Sequence, residues 1–368
     1  MAYKYTHFIP QNTAPSGAQK IGVYDSTGKR ICGIDLGGLK PPTSPIQYSF
    51  GLVSDIHLWK TAPTWDGNAK FDKALTYFES KNCSFCAHCG DITQTGLYNE
   101  GDKVNLAPEQ FAKYKELCDK HTIPVYGICG NHESYVNPIT NNPDELKYYT
   151  KTPLTYTISS AAASDNTVGT TVRPNIYAPI GDDLFIMIGQ ASWYTQEAPM
   201  SDSDFSWLKT ILANNKNRRC FIFIHSYIEE DSGDAKDVRE NSMFENWNKK
   251  TEFMNLLSNN TNVILFHGHS HMKFENQKYY DSSKPLDKDQ LSYKNANYTH
   301  INGFKSVHVP SLAMPRDINF STNESVNDNV ASEGYIVDVY EGCIVLNGID
   351  MVNKEYIPWG ILKIDTAL

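Results

Sequence analysis

Five stretches of this sequence end an apolar run in side chains that can bind a metal ion or move a proton. Asp55 and His57 close YSFGLVSDIH (48–57), and Asp91 closes FCAHCGD (85–91). Asn131 and His132 lie at the end of PVYGICGNHE (124–133), His225 in CFIFIHS (220–226), and His269 and His271 in NVILFHGHSH (262–271). Imidazoles, two carboxylates and an amide oxygen suit Zn, Fe, Mn or Ni better than calcium, which prefers all-oxygen cages. Asp55, His57, Asp91, Asn131, His225, His269 and His271 are too many ligands for one ion. Shared between two ions with a bridging carboxylate, they leave positions for water and substrate, as in two-metal hydrolytic sites with ions ~3.5–4 Å apart. Taken singly, each has a plainer reading. An Asp after a strand is often a cap, and a lone His in an apolar run is usually a hydrogen-bonded core residue. Their shared position at the ends of apolar runs is what favours chemistry. His267 reads as a packed or supporting residue, and His88 and His308 as structural.

The hydrophobic pattern shows which elements must position these groups. Continuous apolar runs of this length suit strands buried on both faces. A sixth run, LFIMIGQAS (184–192), ends without a comparable group. Helical patterns lie between the runs. Phe71, Ala74, Leu75 and Phe78 fall at i, i+3, i+4 and i+7 within AKFDKALTYFES. PEQFAKYKELCDK opens on Pro108, suited to a first helical turn, and repeats apolar positions at Phe111, Tyr114, Leu117 and Cys118. Ser201 and Asp204 have the spacing of a capping box at the start of SDSDFSWLKTIL. Strand alternating with helix predicts a largely parallel central sheet. Ligands bind such sheets beyond the carboxyl ends of the strands. Groups far apart in the chain would therefore meet at one edge.

The two ends depart from this pattern. IGVYDSTGKRICGIDLGG reads as a hairpin turning at Ser26, Thr27 and Gly28, followed by the Pro-rich LKPPTSPIQ. Residues 1–45 are thus expected as a small β-rich accessory segment that could dock a partner or a larger assembly. GYIVDVYEGCIVLNGIDM, near the C-terminus, reads as antiparallel strands added to a second sheet. Long polar stretches at about 134–180, 227–250 and 272–303 are expected as functional loops.

Composition narrows the function class. The 368 residues are 40% hydrophobic and 20% charged, an ordinary globular balance. A formal charge of -9 disfavours long-range attraction to a nucleic-acid backbone. No apolar run approaches the ~18 residues that cross a bilayer, and MAYKYTHFIPQNTAPSG lacks the apolar core of a signal peptide. A cytoplasmic protein without membrane association is expected. Eight cysteines are too sparse for a disulfide framework. Cys83, Cys86 and Cys89 invite a zinc reading. On a strand, however, Cys86 and Cys89 would face opposite sides, and no fourth ligand is suitably spaced. Buried free thiols are expected instead.

DIH, GD, GNHE, a lone His after an apolar strand, and GHSH, in that order, resemble the five motifs of the calcineurin-like metallophosphoesterases. The resemblance covers roughly residues 48–271. It implies an α/β fold, a four-layer α/β/β/α sandwich, with residues 46–368 as the catalytic domain behind the small N-terminal β segment. It also implies ligand roles: Asp55, His57 and His271 on one metal, Asn131, His225 and His269 on the other, and Asp91 as the bridge. His132 would contact the phosphate and protonate the departing oxygen, so that His132, Asp91 and Asn131 carry the catalysis. The activity implied is hydrolysis of a phosphodiester or other small organic phosphate by a metal-bridging hydroxide. Mn, Fe or Zn would serve as the two metal ions.

Subtype signals point the same way. The tyrosine that purple acid phosphatases carry shortly after GD is replaced here by Thr93, Gln94 and Thr95, with Tyr98 too far along. The Asp-Arg of the serine/threonine protein phosphatases is missing as well. GDITQTG and SDFSWLKTIL look closest to the cyclic-nucleotide phosphodiesterase-like branch. Trp65 and Trp247 are candidates for stacking on a base or sugar, and Arg173, Arg239 and Arg316 for gripping a second phosphate. Two alternatives remain open: a nuclease on the same site, and an assembly protein that keeps the fold as a scaffold.

Overall fold

The computed structural model describes residues 42, 44–59, 66–94, 109–132, 179–189, 199–227, 247–274, 304–317, 324, 326–357 and 360–366. The backbone alone is described at 20–24, 30–35, 107–108, 163–168, 171–178, 318–319 and 325. Strands β1 (Lys20–Tyr24) and β2 (Arg30–Asp35) pair antiparallel as the sequence predicts. Their expected turn at 26–28 lies outside the described residues.

Two sheets build the main domain. The first is assembled around β3 (Tyr48–Val53), β4 (Cys86–His88) and β5 (Val125–Gly127), which are mutually parallel. The second contains β6 (Ala163–Val168), β7 (Thr171–Ile180), β8 (Asp183–Met187), β9 (Cys220–Phe223), β10 (Val263–His267) and β11 (Lys305–His308), in the order β11-β10-β9-β8-β7-β6. Strands β8 to β11 are parallel; β7 and β6 continue antiparallel. Strands β12 (Arg316–Asn319) and β13 (Glu324–Asn327) form a separate hairpin. The chain ends in β14 (Glu333–Val339), β15 (Cys343–Asp350), β16 (Glu355–Tyr356) and β17 (Leu362–Asp365).

Three expectations are corrected here. The six apolar runs divide between two sheets instead of sharing one. The C-terminal strands join the first sheet, where β14 lies antiparallel beside β3. The physical reason is common to both: each sheet needs an apolar inner face, and the other sheet supplies it. Thirdly, the stretch 134–180 is not all loop, because 163–168 and 171–180 are strands at the edge of the second sheet.

Helices cover the outer faces. Helix α1 (Gly67–Ser80) and α2 (Ala107–Lys120) bury Phe71, Leu75, Phe78, Phe111, Tyr114 and Leu117 against the first sheet. Helix α3 (Asp202–Asn214) and α4 (Lys250–Ser258) bury Phe205, Leu208, Phe253 and Leu257 against the second. The Ser201–Asp204 capping box is present, each side chain accepting from the other's backbone N–H at 3.1 Å. Between the sheets lie Phe50, Phe85, Phe185, Phe221, Phe223 and Phe266, in stacked, tilted and edge-on pairs with centroids as close as 4.9 Å. The architecture is the four-layer α/β/β/α sandwich. Cys83 and Cys86 lie in the core beneath α1 and α2 and Cys89 in the core between the sheets, so the alternation argument against a shared zinc holds.

One buried clamp fixes the sheets at the starts of their strands. Arg219, ahead of β9, donates to both oxygens of Asp183 at 2.8 and 2.7 Å, to Tyr340 O at 2.8 Å and to Thr366 Oγ1 at 3.1 Å. Tyr48 OH donates to the same carboxylate. Both partners of this bidentate pair belong to the second sheet, and the bonds to Tyr48, Tyr340 and Thr366 join it to the first. The opposite ends of the strands, where the chemistry-bearing residues lie, are left to form a site.

Candidate metal centre

All eight residues predicted to form the site meet beyond the carboxyl ends of β3, β4, β5, β9 and β10. Asp55, His57, Asp91 and His271 form one group able to hold a metal ion; Asp91, His225 and His269 form another. In the first, His57 Nε2 and His271 Nε2 approach to 3.1 Å, and Asp55 Oδ1 lies 3.0 Å from His271 Nε2. In the second, His225 Nε2 lies 3.1 Å from His269 Nδ1, 2.9 Å from Asn131 Oδ1 and 3.2 Å from Asp91 Oδ2. Asp91 Oδ2 is also 3.9 Å from His57 Nε2 and 3.8 Å from His132 Nε2. One oxygen thus faces both groups.

The donor set fits metal ions. Bonds of ~2.1 Å to a shared cation place neighbouring ring nitrogens ~3.0–3.4 Å apart, and each group contains such a nitrogen pair. Asp55 Oδ1 is buried and, among the described residues, makes no well-directed hydrogen bond. Its partner oxygen Oδ2 accepts the backbone N–H of His269 at 3.1 Å. Asp91 is arranged alike: Oδ1 accepts the backbone N–H of His132 at 3.0 Å, leaving Oδ2 for the cluster. The imidazoles are aimed from behind. His225 Nδ1 donates to Cys89 O at 2.7 Å and His271 Nδ1 to Met314 O at 3.2 Å, which presents each Nε2 inward.

Burial and mutual charge set the protonation. Burial opposes ionisation of Asp55, but His271 beside it holds the carboxyl well below its usual range. Asp91 is also held below the usual range, with His225 foremost in overcoming burial. Burial is overcome at His225 by Asp91, which raises the imidazole to about 9. Burial and the neighbouring His225 lower His269 to about 3. Burial, then His132 and His271, depress His57. His132 is depressed by burial, against the pull of Asp91. Two carboxyls held low and one imidazole held high thus stand beside imidazoles that burial depresses.

Holding these residues requires unusual backbone. Asp55, His57, Asp91, His269 and His271 all have positive φ, at 52°, 48°, 52°, 71° and 61°. Such conformations cost on the order of 1 kcal/mol or more each and persist only where surrounding contacts fix them. Among the described residues, only three other non-glycine positions share this geometry. Two glycines let the loops touch. A Cβ on Gly130 would stand 2.1 Å from Asp91 Oδ1 and 2.7 Å from Asp91 N, and one on Gly90 would stand 2.8 Å from Gly130 N.

Sequence reasoning missed the supports. The segment after β11 buttresses β3 and the turn after β10: Ser311 Oγ donates to Asp55 O at 3.0 Å, Leu312 N to Ser54 O at 2.8 Å and Arg316 N to His271 O at 2.7 Å. Lys70 on α1 fastens that segment, donating to the carbonyls of Ala313, Asn329 and Ala331 at 2.6, 2.8 and 2.7 Å. His132 Nδ1 donates to Gln94 O. Backbone carbonyls leave no residue-type signal, and a single buried Lys on a helix reads like any surface lysine. Trp247 is corrected: it is buried against Phe205 and Phe253 at 5.5 and 5.7 Å and cannot stack on a substrate. Arg316 Nε donates to Asn327 Oδ1 at 3.0 Å. Trp65, Arg239 and the Arg173 side chain lie outside the described residues. His88 and His308 are buried and hydrogen-bonded, to Tyr114 OH at 2.9 Å and Ser270 Oγ at 2.6 Å.

The family model described as calcineurin-like phosphoesterase matches residues 48–273. No curated protein matches the chain. A crystal structure of a dimetal phosphatase from Danio rerio aligns with a TM-score of 0.56 at 12% identity, covering 88% of this chain and 100% of that one. A purple acid phosphatase from yellow lupin (Lupinus luteus) seeds aligns with a TM-score of 0.51 at 14% identity. That alignment covers 94% of this chain and 59% of the lupin chain. At these identities the likeness is one of fold. Among the described residues, no helix is long and apolar enough to cross a membrane.

Proposed function

The chain belongs to the calcineurin-like phosphoesterase family of metal-dependent phosphoester hydrolases, and from that premise we propose that it hydrolyses a small phosphodiester at the cluster around Asp91. The observation that carries the reading is the position of Asp91 Oδ2, 3.2 Å from His225 Nε2 and 3.9 Å from His57 Nε2. Asp55, His57 and His271 would hold one cation, Asn131, His225 and His269 the other, and Asp91 both. A pair of cations there would supply acidified water and neutralise charge on phosphoryl oxygens.

The remaining work falls to the chain. Asp55 and Asp91 are each fixed through one oxygen by a backbone N–H, which keeps the second oxygen aimed without a reorganisation cost. As an imidazolium, a form that Asp91 favours against the burial depressing it, His132 would deliver its Nε2 proton to the departing oxygen. Its Nδ1–H is occupied by Gln94 O, so Nε2, on the side of Asp91, is the nitrogen that meets substrate. A positioned acid of this kind is worth roughly 10²–10⁴-fold on a poor leaving group. The preference for a diester rests on GDITQTG and SDFSWLKTIL, whose likeness is to the cyclic-nucleotide phosphodiesterase-like branch.

The test is turnover of bis-p-nitrophenyl phosphate and p-nitrophenyl phosphate with Mn²⁺, Fe²⁺ or Zn²⁺. We expect faster diester hydrolysis, abolished by Asp91→Asn. His132→Gln should slow alkyl esters far more than nitrophenyl esters. No turnover with any of these metals would sink the proposal, and a wide preference for the monoester would overturn the substrate class.

A further inference from the structure

Beneath the turn that presents His269 and His271 lies a buried polar group of four side chains with no part in the chemistry above. Strands β10 and β11 run parallel, with His267 opposite His308. Both imidazoles are fully buried at the strand ends, with ring centroids 5.4 Å apart. His267 Nε2 meets Ser306 Oγ at 3.1 Å on the neighbouring strand. His308 Nε2 meets Ser270 Oγ at 2.6 Å. The His308 Nδ1 atom makes no hydrogen bond among the described residues. Burying a polar ring with one nitrogen unmet is costly, and an apolar side chain would fill the same space without that cost.

Ser270 is where this group touches the site. It separates His269 and His271, which have φ of 71° and 61°. The turn is closed by Ser270 N donating to Gly268 O at 2.9 Å, and Ser270 Oγ accepts Met272 N at 3.4 Å. His269 is tied to Asp55 and His271 to Met314 and Arg316, and the bond from Ser270 to the end of β11 ties the residue between them, so that the turn is held from both flanks and from its apex.

We propose that Ser270 and His308 are positioning residues that lock the His269–His271 turn, and so set the spacing of one imidazole ligand in each metal group. The proposal rests on the reading of His269 and His271 as ligands. His308 is held by β11 and by its packing against His267. It transmits the rigidity of the second sheet to Ser270, and Ser270 to the two flanking rings. Neither residue touches substrate or metal.

The experiment uses the full chain and four variants, Ser270→Ala, His308→Phe, His308→Gln and the double Ser270→Ala/His308→Phe. Mn²⁺ affinity is read by calorimetry, ligand geometry by the visible spectrum of the Co²⁺ form, and folding by thermal melting. Ser270→Ala and His308→Phe should each weaken Mn²⁺ binding tenfold or more and alter the Co²⁺ bands. The double variant should lose little more than either single one, because the two act through one bond. His308→Gln, whose amide reaches Ser270, should recover most of the affinity. Should His308→Phe fail to fold, Ser270→Ala and His308→Gln still decide the matter. Affinity and spectrum unchanged in Ser270→Ala, whatever the melting temperature, would overturn the proposal and leave the four residues as core packing. Wild-type protein that binds neither Mn²⁺ nor Co²⁺ would overturn the ligand reading itself, and this inference with it.

Discussion

Replacing Lys70 by Met tests whether a helix remote in sequence supports the metal cluster. Lys70 is 9% exposed and its ammonium donates to three backbone carbonyls, of Ala313, Asn329 and Ala331. The bond to Ala313 O is buried, and an unmet buried acceptor costs ~1–3 kcal/mol. The other two carbonyls are partly exposed, so water can replace the ammonium there at a smaller loss, on the order of 0.5–1 kcal/mol each. Removing the charge returns something, since burial already depresses the ammonium to about 8. The balance is about 3 kcal/mol. With an unfolding entropy near 2.1 cal/mol/K per residue, a chain of this length should melt roughly 4 °C lower. The effect should reach the site, because Ala313 N donates to Asp55 O at 3.2 Å and the two bonds share one peptide segment. Mn²⁺ affinity should fall several-fold. Thermal melts with and without Mn²⁺, beside a calorimetric titration, measure both. Lys73→Met, on the exposed face of the same helix, is the control and should change neither. A Lys70→Met protein melting within a degree of wild type would refute the reasoning, as would a loss of affinity shared equally by the control.

Four further outcomes follow from the geometry. Gly130→Ala should cut kcat/KM at least 100-fold with the fold retained by circular dichroism, because its Cβ would press within 2.7 Å of the Asp91 backbone nitrogen. Glu79→Gln should lower stability by about 1 kcal/mol at neutral pH, allowing for solvent screening of a half-buried carboxylate. Burial opposes ionisation of Glu79, but His121, Thr122 and Ile123 overcome it and hold the carboxyl at about 2. Its folded value lies below its unfolded one, so the contribution is full above about 4.5 and vanishes as pH falls towards 2, which urea melts across that window would show. Removing metal with a chelator should abolish activity and lower the melting temperature; added Mn²⁺ should restore activity in step with site occupancy and stability by RT ln(1 + [L]/Kd). Asp91→Asn should lose that metal-dependent stabilisation, and a rise in melting temperature equal to wild type would count against its placement between the ions.

The sequence by itself determined which side chains are the candidates for the site and where along the chain they occur. Asp55, His57, Asp91, Asn131, His132, His225, His269 and His271 were legible because each ends an apolar run, and a buried strand ends in polar groups only for a reason. The strands, the helices with their i, i+3, i+4 faces, and the Ser201–Asp204 cap were legible for the same reason: they are local, and periodicity records them. Tertiary structure alone decided how the strands divide into two sheets, because an inner apolar face looks the same whichever partner covers it. It alone showed Trp247 in the core, since an aromatic in a polar stretch can turn either way. It alone revealed how the cluster is held. The carbonyls of Cys89, Gln94 and Met314, the ammonium of Lys70 and the pairing of Ser270 with His308 are contacts between distant segments. Main-chain atoms are common to every residue, so what they aim becomes visible only once the chain has folded.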